Sequence, residues 1–525
     1  MKKYLLFTVV ACANIINLQA QQAGTLDNTF GNSGKVFTYF NSKGGCRTVL
    51  LQPDGSIVAV GSTDNTGSKM ALARYLGNGT PDAGFGNNGV IEQTIKGFSE
   101  SATVGLLQPD GKIIAAGYAF NQGGTTNDDF TLVRYNSNGS IDNTFGVNGI
   151  AMNDLGGGLD RIWGAALQPD GKIVVVGESA STVAPYNYSL IVARYKTNGT
   201  FDSSFGINGS IAATQPTKEN IVGRSVAIQP DGKIVAVGVF TSGGVNNFCA
   251  ARLNANGTPD NTFGTNGIVN TLVAQAAQSQ SVAIQPDGKI IIAGTSNDPA
   301  RGYFTMIRYN ANGSPDNTFG TNGIVQSNVG NTSWGMAVKL QPNGKILLTG
   351  YGTTIIDQVS TMCFLMARYN TNGSLDATFG TNGAVFTPMG SNSAYSNAIA
   401  IQADSKIILG GSSNFFGGFG LARYMGDSVQ TGPVSIAETA NYNTLKLYPN
   451  PAHHTATLQY SLSAPAQVSI NITDIAGRII KTLPAQQEAA GIHTMQLHLE
   501  NIPAGTYTIS LQGSDKPVSV KMIKE

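Results

Sequence analysis

The chain has 525 residues, of which 65 are glycine, and its 32 basic and 31 acidic side chains leave a formal net charge of +1. Glycine makes up about 12% of the chain against ~7% in an average protein, and charged residues make up 12% against ~25%. So little charge, and so balanced, excludes a strongly basic nucleic-acid-binding protein and a long solvated coiled coil. The many glycines favour tight turns, and therefore an all-β fold over a helical one.

The first 20 residues predict export as a signal peptide. A basic start at residues 1–3 precedes an apolar run at residues 4–13 and a small residue at Ala20. The run is too short to cross a membrane and nothing of spanning length occurs later, so we expect no transmembrane segment. An alternative is lipoprotein processing at Cys12. The remaining cysteines, expected to be buried free thiols, are Cys46, Cys249 and Cys363.

Three motifs recur through most of the chain at a nearly fixed period. Gln-Pro-Asp-Gly repeats at intervals of 56 to 61 residues and decays in its last copy, and both Asp-x-x-Phe-Gly and an Arg-Tyr or Arg-Leu pair occur seven times. A fixed period of this kind indicates a repeat architecture. We expect the repeated Arg and Asp to pair within or between repeats. The motifs begin at Gln52, Gln108, Gln168, Gln229, Gln285, Gln341 and Gln402, at Asp27, Asp82, Asp142, Asp202, Asp260, Asp316 and Asp376, and at Arg74, Arg134, Arg194, Arg252, Arg308, Arg368 and Arg423.

Each repeat predicts four short strands. In one copy, residues 225–229 lead through the turn at 230–232 into a nearly continuous apolar run at 233–238, which is typical of a strand buried on both faces. A third strand is predicted at 248–253 and a fourth at 267–271. Such units cannot bury their faces alone, so they must stack on one another.

The phase of the two chain ends favours a closed ring over an open solenoid. The repeat region begins with only a fourth strand, at residues 34–38, and ends after a third strand, at residues 420–424. The first strand can therefore complete the last repeat, which closes a ring. We predict an all-β protein with a seven-bladed β-propeller at residues 27–426. The repeats resemble the delta-60 repeat family of β-propellers, which implies a secreted propeller and no agreed activity.

Short alternating strands return after a predicted linker at residues 427–443 and predict a small Ig-like β-sandwich at residues 444–525. Four motifs occur there in order: Tyr448-Pro449-Asn450-Pro451, Asp474 with Gly477 and Arg478, Gly505 with Tyr507, and the region of Lys521. This segment resembles the type A carboxyl-terminal sorting domain of type IX secretion. The resemblance implies the type IX machinery as a partner and a secreted or cell-surface location outside the outer membrane of a Gram-negative bacterium.

The connections that vary between repeats leave the same end of every predicted blade. Loops on a rigid scaffold are where binding usually resides, so we predict the binding site on this variable face. Aromatic side chains there suit sugar or peptide surfaces, although packing between blades is the alternative. Other aromatic residues predicted on this face are Phe98, Tyr118, Phe120, Phe240, Tyr395, Phe415 and Phe416. The candidate binding residues are Trp163, Tyr186, Tyr188, Tyr303, Trp334 and Tyr351.

The repeat region lacks the side chains that most catalytic centres need. All four histidines follow it, which excludes a Ser-His-Asp relay or an imidazole metal site in the ring. We therefore predict no catalytic residue, no metal and no cofactor. A carboxylate-pair hydrolase stays open as an alternative. Its candidate carboxylates are Asp128, Asp129, Asp154, Asp160, Asp298 and Asp357.

Three functional hypotheses follow. The first is a non-enzymatic, monomeric binding or adhesion module that holds a glycan, a peptide or another surface component on the variable face. The second is a secreted hydrolase or lyase that acts on polysaccharide. The third is a structural surface-layer protein that needs no ligand.

Overall fold

The computed structural model contains β-strands, bridges and turns, and no helix, in the residues that it describes. The chain divides into two compact units, Met1–Val429 and Gln430–Glu525. No helix long and apolar enough to cross a membrane occurs in the described part of the chain. The predicted signal peptide lies outside that part. The described residues are 22–40, 43–64, 67–96, 99–121, 127–156, 158–180, 187–213, 220–274, 276–356, 358–390, 393–413, 417–427, 445–462, 466–474, 479–489, 491–500, 502–503, 505–512 and 518–524.

The first compact unit contains 28 described strands. They are β1 (Lys35–Thr38), β2 (Lys43–Leu51), β3 (Ile57–Asp64), β4 (Lys69–Tyr75), β5 (Val90–Gln93), β6 (Glu100–Leu107), β7 (Ile113–Asn121), β8 (Asn127–Tyr135), β9 (Ile150–Asn153), β10 (Leu159–Leu167), β11 (Ile173–Ala180), β12 (Tyr188–Tyr195), β13 (Ser210–Ala213), β14 (Asn220–Ile228), β15 (Ile234–Ser242), β16 (Val245–Leu253), β17 (Ile268–Thr271), β18 (Ala276–Ile284), β19 (Ile290–Asn297), β20 (Gly302–Tyr309), β21 (Ile324–Ser327), β22 (Thr332–Leu340), β23 (Ile346–Ile356), β24 (Val359–Tyr369), β25 (Ala384–Thr387), β26 (Tyr395–Ile401), β27 (Ile407–Ser413) and β28 (Gly418–Tyr424).

These strands form a β-propeller. In the described residues they group into seven four-stranded antiparallel blades, the first made of β2 to β5 and the sixth of β22 to β25. The first strand of each blade packs beside the first strand of the next, and β26 packs beside β2, so the ring is closed. Single parallel bridges also join the second blade to the third and the fourth to the fifth.

The two ends of the ring meet in the seventh blade. Strands β26, β27 and β28 are completed by β1, which pairs with β28 in antiparallel register from Lys35↔Ala422 to Thr38↔Phe419. The carboxylate of Asp27 accepts a hydrogen bond from Arg423 Nε at 2.8 Å. The amino-terminal strand therefore completes the last blade, as the phase of the repeats predicted.

The second strand of a blade is buried on both faces. In β15, Ile234 and Ala236 pack in one apolar cluster with Val176 of the preceding blade. The alternate residues Val235 and Val237 pack in another cluster with residues of the following blade. All four β15 side chains are fully buried. Successive side chains of a strand point to opposite faces, so a continuous apolar run contacts both neighbouring blades.

One arginine on each third strand joins its own blade to the next. Arg308 Nε donates to Asp316 Oδ2 at 2.7 Å, and the guanidinium lies 4.5 Å from the ring centre of Phe319. Arg308 Nη1 donates to the Thr371 carbonyl oxygen in the following blade at 2.5 Å. The predicted pairing of Arg and Asp is confirmed. We call this set of contacts the arginine staple, and it recurs at Arg74, Arg134, Arg194, Arg252, Arg368 and Arg423.

The second compact unit is a β-sandwich. Its three-stranded sheet β29-β30-β33 and its four-stranded sheet β32-β31-β34-β35 share one apolar core, to which Leu458 and Tyr460 contribute from one side and Ile470 and Ile509 from the other. Its strands are β29 (Lys446–Tyr448), β30 (Thr455–Leu462), β31 (Ala466–Asp474), β32 (Ile479–Glu488), β33 (Gly491–His498), β34 (Gly505–Gln512) and β35 (Val518–Lys524).

Replacing Arg308 with Ala is expected to lower the free energy of unfolding by about 3 kcal/mol, because it removes one partner of a buried ion pair and a contact between blades. The matched control is Lys289→Met. Its ammonium lies 3.0 Å from the same Asp316 carboxylate, but its side chain is 29% exposed, so we expect a loss of about 1 kcal/mol or less. Urea unfolding of both variants measures the difference. Equal losses would refute the dominant role of the staple.

The staple carboxylates also predict acid sensitivity. Burial opposes ionisation of Asp142, but hydrogen bonds from Thr144 and the charges of Arg134 and Lys112 outweigh it and lower the pKa of Asp142 to about 2. An unfolded Asp has a pKa of about 3.9, so this stabilisation is complete above that value and is lost as the pH falls through the folded pKa. The staple aspartates with lowered pKa values are Asp27, Asp142, Asp202, Asp260, Asp316 and Asp376.

We therefore expect the free energy of unfolding to change little from pH 7 to about pH 5, and to fall steeply between about pH 4 and pH 2. Urea unfolding at a series of pH values checks this expectation. A profile that stays level down to pH 2 would show that the ionised staple aspartates add nothing to stability.

Candidate functional site in the central channel

A glycine in each second strand shapes the inner wall of the propeller. A Cβ atom at Gly117 would lie 1.8 Å from the Ser101 carbonyl oxygen, and one at Gly350 would lie 1.8 Å from the Trp334 carbonyl oxygen. Only glycine fits such an approach. The first strand carries a β-bulge at the same place in every blade, and in the second blade it lies between Ala102 and Val104. The glycines are Gly61, Gly117, Gly177, Gly238, Gly294, Gly350 and Gly411.

Each bulge leaves one residue of the first strand without a pairing partner in the register. These residues line a central cavity of about 580 Å³. The backbone follows the same course in every blade, but the type of the unpaired residue differs between most of them. This position therefore determines the charge and polarity of the channel lining. We call the set the bulge ring, and it consists of Arg47, Thr103, Trp163, Arg224, Gln280, Met336 and Asn397.

Aromatic rings lie beside the channel at the end where its first strands begin, which is the end that carries the variable loops. Trp334 and Tyr351 stack with ring centres 5.1 Å apart and planes 20° apart, and Tyr395 meets Tyr351 edge-on at 4.8 Å. We call these three residues the aromatic platform. All three are half-buried. Apolar ring surface thus stays accessible next to the channel.

A second aromatic group comes from the second and third blades. Tyr118 and Trp163 are in an edge-to-face arrangement with ring centres 6.3 Å apart. Arg161 lies 4.9 Å over Tyr118, and Arg224 lies 4.7 Å over Trp163. The guanidinium of Arg47 interacts electrostatically with Tyr118 and with Tyr351 of the aromatic platform. Arg47 is therefore within electrostatic range of both aromatic groups.

The structure brings together only part of the predicted binding set. Trp163, Trp334 and Tyr351 belong to the two aromatic groups at the channel. The Tyr188 backbone N–H donates to Asn220 Oδ1 at 2.8 Å, and the Tyr303 hydroxyl donates to Asp298. Neither Tyr188 nor Tyr303 belongs to these two groups, and of the described residues in the predicted set only Trp163 lines the cavity itself. Tyr186 lies outside the described residues.

The charged residues of the channel were missed by the sequence interpretation. Arg47 and Arg224 occupy the bulge position, and Lys339 lies further along the first strand of the sixth blade. A signal for the bulge position exists in the sequence. Every bulge-ring residue stands five positions before the Gln of the repeated Gln-Pro-Asp-Gly motif, as Arg47 does before Gln52.

The carboxylates proposed for a hydrolase fall into separate places. Asp129, Asp154 and Asp160 offer oxygen atoms within 4.8 Å of one another, and burial raises the pKa of Asp160, with the neighbouring Asp154 and Asp129 adding to the effect. Asp128 forms an ion pair of 2.6 Å with Arg161. None of these four aspartates is among the described residues that line the channel. Asp357 lies outside the described residues.

The first sorting motif docks on the last strand of the sandwich. Asn450 Nδ2 donates to the Lys521 carbonyl oxygen at 2.7 Å, and the Ile523 N–H donates to Asn450 Oδ1 at 2.8 Å. The side chain of Asn450 thus replaces one rung of a strand ladder. The residues around it in the motif are Tyr448, Pro449 and Pro451, and Tyr448 is 48% exposed.

The other sorting motifs meet on the four-stranded sheet. Asp474 on β31 lies opposite Tyr507 on β34, and Gly505 begins the latter strand. The Tyr507 hydroxyl donates to the Pro503 carbonyl oxygen at 2.9 Å, which holds the chain just before the strand. Gly477 and Arg478 lie outside the described residues.

Family comparisons agree with this division of the chain. A domain of unknown function described as a β-propeller, DUF5122, matches residues 52–85, 108–145, 168–205, 229–263, 285–319 and 341–379. A secretion system C-terminal sorting domain matches residues 446–525. No curated protein matches the chain.

Solved structures resemble the chain at low identity. PorZ of Porphyromonas gingivalis, described as an essential bacterial surface component of the type IX secretion system, is 14% identical with a TM-score of 0.37, and the match covers 91% of this chain and 59% of PorZ. The chain thus spans about 59% of the length of that protein. A PL25 ulvan lyase is 11% identical with a TM-score of 0.43, covering 75% of this chain and 96% of the lyase. A fungal alcohol oxidase of the AA5 family is 12% identical with a TM-score of 0.41, covering 95% of this chain and all of the oxidase.

The family model matches six repeats, and the blade that holds both chain ends lies outside them. That blade carries the decayed motif Gln402-Ala403-Asp404-Ser405. The delta-60 assignment stays a prediction. With its DUF5122 repeats and its secretion system C-terminal sorting domain, the chain is a β-propeller cargo of the type IX secretion system, destined for the cell surface or the exterior of the cell.

Proposed function

We propose that the propeller is a non-enzymatic binding module that holds a glycan at the channel end beside the variable loops. The observation that carries this proposal is the aromatic platform of Trp334, Tyr351 and Tyr395, whose rings stay partly exposed next to a cavity of about 580 Å³. The C–H face of a sugar packs well on such rings, and a cavity of this size is in the usual range for small-ligand sites.

The bulge ring supplies the polar contacts that a sugar requires. Gln280, Asn397 and Thr103 all line the channel. Asn397 Nδ2 donates to the Cys46 carbonyl oxygen at 3.0 Å, and Thr103 Oγ1 donates to the Ile162 carbonyl oxygen at 2.6 Å. These bonds fix the two side chains to neighbouring strands, so they are already ordered before a ligand arrives, which lowers the entropic cost of binding.

The residues described along the channel wall include neither Asp nor Glu, whereas glycoside hydrolysis ordinarily needs a pair of carboxyl groups about the scissile bond. This observation favours binding over cleavage. The polysaccharide-degrading alternative has one supporting observation, which is the raised pKa of Asp160 beside Asp129 and Asp154. A raised pKa suits a general acid. A purely structural surface-layer role requires no ligand.

The proposal keeps the division of the chain that the repeats indicated. It assigns a signal peptide to residues 1–20, the binding propeller to residues 27–426, a linker to 427–443 and the sorting domain to 444–525. In this division the exported protein acts as a monomer, with one channel per chain.

Replacing Trp334 with Ala is expected to weaken glycan binding by tenfold or more, because it removes the largest ring of the aromatic platform. The Trp334→Phe variant keeps a stacking surface and is expected to retain most of the affinity. Tyr303→Ala removes an aromatic ring that belongs to neither aromatic group at the channel, and no change is expected. Affinities of the full chain are measured on a glycan array and by calorimetry, with thermal unfolding as a control for folding.

Equal losses in Trp334→Ala and Tyr303→Ala would place binding elsewhere than on the platform. Failure of the full chain to bind any glycan would leave the structural role as the better hypothesis. Release of reducing ends from a polysaccharide, abolished in Asp160→Asn, would establish the enzymatic alternative.

A further inference from the structure

Three cationic side chains line the channel. Arg47 and Arg224 belong to the bulge ring. Lys339 stands three residues after Met336 of that ring, about 10 Å further along the strand. All three line the same cavity, and no Asp or Glu is among the described residues that line it.

These cations differ from the other arginines of the ring in having no carboxylate bound to them. Arg161, at the same end of the channel, pairs with Asp128 at 2.6 Å. Arg308 and the other staple arginines likewise pair with aspartates. In the described part of the chain, by contrast, no ion pair or side-chain hydrogen bond is formed by Arg47, Arg224 or Lys339, and Arg224 Nε is buried without a hydrogen-bond partner.

The surroundings make this positive charge costly. Burial lowers the pKa of Arg47 and the pKa of Lys339. Burial also lowers the pKa of Arg224, the carboxylate of Glu178 raises it, and the charge of Arg47 lowers it. Of the three cations only Arg224 is influenced by a carboxylate, and Arg47 and Arg224 repel each other. Arg47 and Lys339 are nevertheless exposed within the channel, and Arg224 is partly exposed. Their charges are therefore accessible to a ligand of opposite charge, which would supply the partner that the protein does not.

The aromatic contact of Arg224 orients its charge. Its guanidinium lies 4.7 Å over the ring of Trp163, a cation–π contact that holds the planar group in place. A guanidinium donates through a rigid fork that matches the two oxygens of a carboxylate or sulfate. Two such groups on one ring of side chains form a site for an oxyanion.

We infer that the channel binds an anionic glycan, whose carboxylate or sulfate group is held between Arg47 and Arg224 while its sugar face lies on the aromatic platform. This inference rests on the proposed function for the sugar and on the unpaired cations for the anion. Lys339 extends the positive wall along the channel, so a chain with several acidic groups is favoured over a single one.

The test compares polymers that differ in charge and not in backbone. The carboxylate arm uses polygalacturonate and its fully methyl-esterified form, and the sulfate arm uses dextran sulfate and dextran. We expect the full chain to bind at least one charged polymer tenfold or more tightly than its neutral counterpart at low ionic strength. We expect the preference to shrink as salt screens the charges. The arm with the larger preference identifies the acidic group.

Arg224→Gln and the double variant Arg47→Gln with Arg224→Gln are expected to reduce that preference about tenfold for each charge removed, and to leave binding of the neutral polymers unchanged. The matched control is Lys196→Gln, which removes one positive charge from an exposed side chain that does not line the channel. It is expected to behave as the unaltered chain. Thermal unfolding establishes that the variants are folded.

Equal affinity for charged and neutral polymers would overturn the inference and leave the proposed function intact. An equal loss in Arg224→Gln and Lys196→Gln would also overturn it, because the attraction would then be general and not local to the channel. If charged polymers bind and Trp334→Ala has no effect, the anion site stands and the platform proposal fails.

Discussion

The arginine staple is the interaction on which the ring depends. A guanidinium on the third strand meets the Asp-x-x-Phe-Gly loop of its own blade and an oxygen of the next, so one side chain carries both the local turn and the contact between blades. Each polar nitrogen is used, since Arg308 Nη2 also donates to Thr318 Oγ1 at 3.2 Å. Arg308 is only 5% exposed, and its buried charge is tolerated because every polar nitrogen has a partner.

The ring also shows how the staple is maintained where the repeat stops. At the junction of the sixth and seventh blades the acceptor is Asp427 Oδ1, which binds Arg368 Nη1 at 2.6 Å in place of a backbone oxygen. The Gly380 N–H donates to the Ala23 carbonyl oxygen, where the other junctions use an asparagine carbonyl such as that of Asn372. Residues from both chain ends thus supply the missing atoms. This junction therefore has the same contacts as the others, although different residues provide them.

A second constraint fixes the backbone of the inner wall but not the side chains that line it. The second-strand glycines and the bulges are the same in every blade, so the backbone of the inner wall is fixed by residues that cannot vary without a collision. The bulge-ring side chains line the cavity and take no part in these tight backbone contacts, so their residue type can differ from blade to blade. Arg224, Met336 and Asn397 occupy equivalent positions with unrelated chemistry. The recognition properties of such a propeller can therefore change without cost to its fold.

The fold was largely predictable from the sequence, because the repeats multiply each weak signal. The strand order, the closure by residues 34–38 and the pairing of Arg with Asp all followed from motifs at fixed spacing. The site was less accessible. Tyr351 and Tyr303 are the same residue type in similar surroundings, but Tyr351 follows a second-strand glycine beside the channel and Tyr303 lies at the start of a third strand. A bulge shifts side chains by one residue without breaking the apolar pattern, so the inward direction of Arg47 could not be read from alternation.

The pairing of β1 with β28 has a consequence for the protein while it is being made. A chain that is synthesised from its amino terminus presents β1 long before β28, because Lys35 and its partner Ala422 are separated by nearly the whole propeller. During that interval β1 is an unpaired edge, the kind of segment that recruits other strands. At four residues with a lysine at its start, β1 is a poor template for such pairing. The strand that completes the seventh blade is therefore one that pairs poorly with other chains before β28 is available.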